Sequence, residues 1–329
     1  MSRYTVAILG ATGAVGQEML QVLQERDFPV KTLLPLASAK SAGTTVSFCG
    51  QQIPVQAVSE EAFQGVDLVL GAAENAIATQ WAPAITRAGA VFVDNSSAFR
   101  LDPNVPLVVP EVNGGDAASH QGIIANPNCT TAITLTAVSA LETLSPIQSM
   151  IVSSYQAASG AGVAGIEELQ SQLQDSSYAP QVFAYPLAFN LIPQIGDHQE
   201  AGYTSEEMKL HYEGRKILHR PSLKVACTCV RVPVIRCHSV SVRVTFQRPV
   251  SVSQAKAAIA AAPGCKLVDD LDQRQYPMPL DASGQDLVYV GRIRADLTDP
   301  NSLHLWCCGD QLRKGAATNA IQIAQLLFT

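Results

Sequence analysis

The sequence predicts an α/β protein in two parts: an N-terminal parallel sheet with helices on its faces, then an α+β domain whose sheet is mostly antiparallel. Three observations carry that reading. The chain has 329 residues, more than one hydrophobic core usually organises. Residues 4–113 alternate short apolar runs (TVAIL, DLVL, AVFVD, PLVVPEV) with helical stretches, the rhythm of a parallel sheet. From residue 147 the texture changes to long runs of alternating polarity, which mark strands covered on one face.

Taken in order, TVAIL forms the first strand and leads through GATGAVG into a helix over 14–25. A second strand covers roughly 30–37, and a second long helix covers 75–88 between DLVL and AVFVD. After Cys129 the stretch TTAITLTAVSALETL reads as a helix whose first turn holds Cys129, because Pro127 and Asn128 are turn and capping types. QSMIVSSYQ is then a strand, 163–174 a helix, and 205–218 a helix opened by Thr204 with Glu207 in capping-box relation. SVSVRVTF, DLVYVGRIRADL and SLHLWCC are long alternating strands. A closing helix over about 313–327 could join either domain, and the Gly/Pro/Ser-bearing stretch 175–204 is the most linker-like. No internal repeat or low-complexity segment is evident.

Composition narrows the partners. Hydrophobic residues make up 47% and charged residues only 15%, the latter below the roughly 25% of ordinary soluble domains, so an oligomer is expected. A formal net charge of -6 with no Lys/Arg run argues against nucleic acid and anionic membranes. No apolar run approaches the roughly 18 residues that span a bilayer, and MSRYTVAILGATG reads as a first strand rather than a secretory signal. Eight scattered cysteines suit a reducing compartment, so a cytoplasmic location is expected.

Gly10-Ala11-Thr12-Gly13-Ala14-Val15-Gly16 joins the first strand to the first helix. Glycines there let the backbone approach a pyrophosphate, and the helix start supplies N–H donors and positive potential. The strand–loop–helix order supports a Rossmann-type nucleotide domain, although the spacing is G-x-x-G-x-x-G. An NAD enzyme would end its second strand in an acid for the ribose 2′-hydroxyl. Here Ser38, Lys40 and Ser41 follow instead, a set suited to the 2′-phosphate of NADP.

At the start of a helix, unpaired N–H groups and the dipole favour an anion, so a thiol at Cys129 ionises more readily than at its ordinary value of about 8.5. The competing reading is a buried cysteine filling space. Arg100 follows DNSSAF at the C-terminal end of a strand of the nucleotide-type sheet, the edge where ligands gather. Glu213 and Lys216 share a helix face, as a surface ion pair would. Arg231 and His238 stand seven apart, so they can share a site only through a turn, which Pro233 permits. Cys227 and Cys229 form C-x-C without a second ligand pair, so no metal is expected.

Together GATGAVG, SAKSAG, DNSSAFR, VPEVN, NPNCTT, SYQAASGAG, EGRKI, TCVRVPVIRCHS and LRKGAATNAIQIA resemble the aspartate-β-semialdehyde dehydrogenase family nearly end to end. The resemblance implies a homodimer or homotetramer. It implies an NADP-binding domain of 1–127 with 312–329 and a catalytic and dimerisation domain of 128–311. It also implies the reversible reductive dephosphorylation of L-aspartyl-4-phosphate to aspartate semialdehyde, towards lysine, threonine and methionine. Matched by position, Cys129 is the family nucleophile, Gln156 orients the acyl intermediate and His238 is the acid/base. The resemblance implies that Arg231 and Glu213 hold the substrate's α-carboxylate and α-amino groups, that Arg100 and Lys216 receive phosphate, and that Asn128 stands beside the nucleophile. By the same resemblance, Ser159, Gly160 and Asn319 are expected near the nicotinamide.

The sequence departs from the family pattern in three places. Cys237 replaces the usual glycine before the histidine, where positive φ or clearance for substrate could be needed, so slower turnover is expected. Residues 72–75, AAEN, replace a small serine-and-glycine stretch, and Gly214 replaces a common threonine. N-acetyl-glutamyl-phosphate reductase and glyceraldehyde-3-phosphate dehydrogenase use a similar thiolate route but do not normally pair NPNCTT with this RVPV segment. A catalytically weak or silent homologue acting as scaffold or sensor is the alternative from another class. The joint presence of Cys129, Gln156, Arg231 and His238 opposes it.

Overall fold

A computed structural model describes residues 3–328. The chain divides into two compact units, Met1–Asn128 with Ala316–Thr329, and Cys129–Gly315.

The first unit opens with β1 (Tyr4–Leu9), α1 (Ala14–Glu25) and β2 (Val30–Ala37), followed by short strands β3 (Thr45–Phe48), β4 (Gln51–Pro54) and β5 (Gln56–Ala57). It continues through β6 (Leu68–Gly71), α2 (Asn75–Arg87), β7 (Val91–Asp94), α3 (Pro110–Asn113) and β8 (Ile123–Ala125). Its main sheet runs β5-β2-β1-β6-β7-β8 with every pairing parallel, and β3 and β4 form a separate hairpin. The central strands β1, β6 and β7 are buried on both faces over most of their length, so they are nearly continuously apolar. Val6 and Ile8 point into one core with Met19 and Leu23, while Ala7 and Leu9 point into the other with Phe63, Ile85 and Phe92.

The second unit contains α4 (Cys129–Glu142), β9 (Ile147–Gln156), α5 (Gly162–Gln174), α6 (Ser205–Ile217), β10 (Lys224–Arg231), β11 (His238–Phe246) and α7 (Val252–Ala261). It closes with β12 (Cys265–Leu267), α8 (Pro279–Ala282), β13 (Val288–Ala295) and β14 (Ser302–Gly309). Its sheet order is β10-β9-β11-β14-β13-β12. The three central pairings are antiparallel, and the two outer ones, β10 with β9 and β12 with β13, are parallel. Helix α4 packs on this sheet and against α6 and α7. It is buried around most of its circumference, consistent with its apolar sequence.

The closing segment differs in detail from a single helix. Arg313–Ala317 is a π-helical turn, and α9 (Thr318–Phe328) follows it and packs on α1 and α3 in the first unit.

Candidate active site

Strand register assembles the thiol cluster of the second unit. Gln156 ends β9, Arg231 ends β10, and the two are paired across the parallel ladder. His238 begins β11, whose next residue Ser239 pairs with Tyr155 of β9. Alternation then puts Gln156, Arg231 and His238 on the same face as the buried Val152, Cys229 and Val240. Helix α4 covers that face and begins at Cys129, whose Sγ lies 3.4 Å from His238 Nε2. The connection 232–237, which includes Pro233, makes the turn that lets Arg231 and His238 converge.

The charges around the sulfur are strongly desolvated. His238 is fully buried, and burial first, then the Arg231 cation, pulls its imidazole down to about 3, with Glu206 opposing. The Ala157 N–H donates to its Nδ1 at 3.1 Å. Arg231 donates from Nη1 to the Ala157 carbonyl at 2.7 Å and lies 5.7 Å from the Phe183 ring centroid. Burial lowers its pKa, while the charges of Glu206 and the Cys129 sulfur hold it up. Glu206, which the sequence did not single out, accepts from Gln156 Nε2 at 3.2 Å and from Lys209 Nζ at 2.8 Å. Glu213 is buried on the same helix, and Lys216 is half-buried three residues on.

Glycine and turn geometry close the cluster tightly. The turn after β9 is fixed by Ala158 and Ser159 N–H groups donating to Val234 and Ile235 carbonyls at 2.8 and 3.1 Å. Gln311 donates from Nε2 to Ser159 Oγ and accepts from the Cys237 N–H at 2.8 Å. A Cβ on Gly160 would lie 2.5 Å from Arg231 Nη1 and 3.3 Å from His238 Cε1. One on Gly315 would lie 2.8 Å from Cys129 Cβ. Cys237 has φ +81°, a left-handed conformation that suits glycine. Its side chain packs with Ala282, Tyr289 and Cys308, and burial pushes its thiol up so that it stays protonated. Cys227 and Cys229 sulfurs lie 3.7 Å apart on one buried strand face, and their mutual hydrogen bond, with burial, drives the Cys227 thiol far up.

The stretch 175–204, linker-like in sequence, forms a wall. The buried Glu168 of α5 accepts from the N–H groups of Gln181 and Val182 at 2.6 and 2.5 Å, and Gln172 accepts from those of Leu187 and Ala188 at 2.7 and 3.0 Å. Beside it opens a cavity of about 290 Å³, lined by Phe183, Tyr185, Ile192, Gln194 and Arg231 among others.

In the first unit, the predicted cofactor residues gather at the carboxyl ends of neighbouring strands. Gly10 and Ala11 N–H groups both donate to the Leu36 carbonyl, at 2.8 and 3.1 Å. Gly10 has φ +93°, and a Cβ there would lie 2.6 Å from the Ala72 carbonyl oxygen, within the AAEN stretch. Gly16 abuts the backbone of Gly10 and Ala11 so closely that no side chain fits. No side chain caps α1 at Gly13 and no acid stands in its first turn, which leaves the helix start suited to a phosphate. Thr12 and Gly13 are exposed, and Ala14 and Val15 half-buried. Ser38, Lys40 and Ser41 form the turn after β2, with Ser41 N–H donating to the Ser38 carbonyl at 3.0 Å and Lys40 exposed.

Arg100 is buried in the same unit and donates to the carbonyls of Asn126 and Asn95 at 2.9 and 2.7 Å. Asn319 is fully buried and donates to the Val108 carbonyl at 2.9 Å and to Asn126 Oδ1 at 2.5 Å. Asn126 in turn donates to Asn95 Oδ1 at 2.5 Å. This Asn95–Asn126–Asn319 chain, of which the sequence singled out only Asn319, precedes the buried Asn128, the residue before Cys129.

Comparison with known proteins follows the same division. Residues 5–120 match the family model described as semialdehyde dehydrogenase, NAD binding domain, and residues 139–314 match semialdehyde dehydrogenase, dimerisation domain. The chain is 54% identical over 326 residues to aspartate-semialdehyde dehydrogenase of Synechocystis sp., covering 98% of this chain and 96% of that one. Over 334 residues it is 47% identical to the Bacillus subtilis enzyme of the same name, covering 98% and 96%. Among solved structures, aspartate semialdehyde dehydrogenase II of Vibrio cholerae complexed with ASA superposes with a TM-score of 0.97 at 43% identity, covering 99% and 98%. Aspartate semialdehyde dehydrogenase with NADP from Candida albicans gives 0.78 at 25% identity, covering 99% and 98%.

Proposed function

The chain belongs to the aspartate-semialdehyde dehydrogenase family, and from that premise we propose the NADPH-dependent reduction of L-aspartyl-4-phosphate to L-aspartate 4-semialdehyde, with release of phosphate. The observation that carries the assignment of roles is the 3.4 Å approach of Cys129 Sγ to His238 Nε2, beside Gln156 and a buried Arg231. The Cys129 thiolate attacks the acyl carbon, the C–O bond to phosphate breaks, and a thioester results. NADPH, when bound, supplies the hydride that forms the aldehyde C–H bond. The C–S bond then breaks and the thiolate returns. The one proton the overall reaction consumes ends on phosphate.

Helix-start N–H groups at Cys129 stabilise the acyl oxygen as it gains charge. Arg231 offers a guanidinium to the substrate carboxylate, and Glu213 serves the α-amino group. Arg100, Lys216 and Asn128 take up the phosphate and the rest of the substrate. Gly10, Thr12, Gly13, Ala14, Val15 and Gly16 would hold the pyrophosphate, Ser38, Lys40 and Ser41 the 2′-phosphate, and Ser159, Gly160 and Asn319 would shape the nicotinamide end. The closely packed glycines and the uncapped start of α1 fit such a group. Domains of 1–127 with 312–329 and of 128–311 divide these duties.

A homodimer, or a homotetramer built from it, assembles through the second unit, and eight free thiols accord with a cytoplasmic location. Among the described residues no helix is long and apolar enough to cross a membrane. Purified protein mixed with aspartate semialdehyde, phosphate and NADP should generate NADPH absorbance, and Cys129→Ser should lower the rate by about 10³-fold or more. Turnover of another aldehyde but not of this one would support a related acyl-phosphate reductase. No turnover of any would support a silent homologue.

A further inference from the structure

We propose that Phe183 is a positioning residue for Arg231, its ring face holding the buried guanidinium in the attitude that receives a substrate carboxylate. This rests on the role given to Arg231 above and extends it to a side chain of the stretch 175–204.

A guanidinium has to be aimed before it can meet a carboxylate through two N–H groups at once. The main chain of Arg231 is fixed by Ile192, whose N–H donates to the Arg231 carbonyl at 3.0 Å and whose carbonyl accepts from the Arg231 N–H at 2.9 Å. Its Nη1 donates to the Ala157 carbonyl at 2.7 Å. A bond of that kind, alone, lets a planar group swing about the line from donor to acceptor. Gly160 limits the swing, since a Cβ there would lie 2.5 Å from Nη1 and 3.5 Å from Cζ. The Phe183 ring limits it further: Arg231 Cζ lies over it, 5.7 Å from the centroid, inside the roughly 6 Å reach of a cation–π attraction.

Desolvation gives that contact its weight. Burial lowers the Arg231 pKa, with Glu206 and the Cys129 sulfur opposing. The cation has therefore lost hydration that a ring face replaces in part. Phe183 is itself held in place. Its N–H donates to Glu168 Oε1 at 3.3 Å, beside the Gln181 and Val182 N–H groups on Oε2. Helix α5 approaches the ring at Gly165, where a Cβ would lie 3.2 Å from Phe183 Cζ.

The ring also packs on the cluster of Ala158, Leu169, Leu187 and Ile192, and for that any large apolar side chain would serve. Phe183 is only half-buried, however, and with Arg231 it lines the cavity of about 290 Å³. A carboxylate entering there meets guanidinium and ring together. Arg231 grips that carboxylate alike before and during the reaction, so losing its aim weakens binding and spares the chemical step.

The test uses the full-length enzyme with aspartate semialdehyde, phosphate and NADP. Phe183→Leu keeps an apolar side chain and removes the ring face, whereas Phe183→Tyr keeps the face. The leucine variant should raise KM for aspartate semialdehyde about tenfold with kcat within about twofold, and the tyrosine variant should return KM to about the native value. A second readout needs no turnover: the concentration of aspartate semialdehyde that halves the rate at which iodoacetamide alkylates Cys129. Phe183→Leu should raise it about tenfold in the native chain but less than about twofold in Arg231→Gln, because the ring acts through the guanidinium. An unchanged KM or a fallen kcat in Phe183→Leu, a tyrosine variant as impaired as the leucine one, or an equal loss of protection with and without Arg231 would each overturn the proposal. If the native chain forms no NADPH while protection follows the stated pattern, the functional reading falls and the role of Phe183 stands. Normal turnover with equal protection in the native and leucine chains does the reverse.

Discussion

His238 ties folding to pH through one buried ring. In the unfolded chain an imidazole titrates near 6.5, whereas in the folded protein burial and Arg231 pull it down to about 3. Above about 6.5 the ring is neutral in both states and its contribution to stability is complete. As pH falls from there towards 3, the unfolded chain takes up a proton that the native site refuses, so stability declines by up to about 1.4 kcal/mol per pH unit. Denaturant midpoints measured across this window should therefore fall more steeply for the native chain than for His238→Gln, by the equivalent of one proton. Parallel slopes would show that the ring accepts a proton without unfolding.

At the scale of single elements, α6 shows what local sequence does and does not reveal. Its start was legible because a capping box is a local pattern: Thr204 Oγ1 accepts from the Glu207 N–H at 3.3 Å, and Glu207 accepts from the Thr204 N–H at 2.8 Å. Glu206, in the same first turn, reads from sequence as one more acid suited to the helix dipole. Its contact with Gln156 depends on where a distant strand ends, which no local pattern encodes. The stretch 175–204 was misleading for a related reason, since several of its N–H groups, from Gln181 to Ala188, are satisfied by Glu168 and Gln172 of α5 and it shows no periodicity of its own. Gly214 weakens α6 without a packing need. A Cβ there would lie 3.9 Å from Leu210 Cδ1 and from Leu223 Cδ2, an ordinary contact. Gly214→Ala should stabilise the protein by about 1 kcal/mol in urea unfolding with kcat unchanged. A loss of stability would mean that the backbone at 214 must move in the working protein.

For the molecule as a whole, the alternation of apolar runs and helices was enough to reveal the parallel sheet. Strand order and the parallel outer pairings of the second sheet were not legible, because they depend on crossovers that bring distant segments together. The closing helix was equally open in sequence. Its apolar face could have served either core, and contacts with α1 and α3 place it in the first unit. The low charge content signalled buried surface without saying where it lies. The second sheet suggests a location: opposite the face covered by α4, its strands carry Ile151, 54% exposed, with the half-buried Ser153, Val230 and Arg243 and the Tyr155 and Trp306 rings 5.3 Å apart. In a two-fold interface each residue meets the same patch on its partner, so one new charge there is desolvated twice. Ile151→Arg should shift the sedimenting mass from that of an oligomer to that of the 34.9 kDa chain, while the far-ultraviolet dichroism of the folded subunit persists. An unchanged oligomer would place the interface on another surface of the second unit.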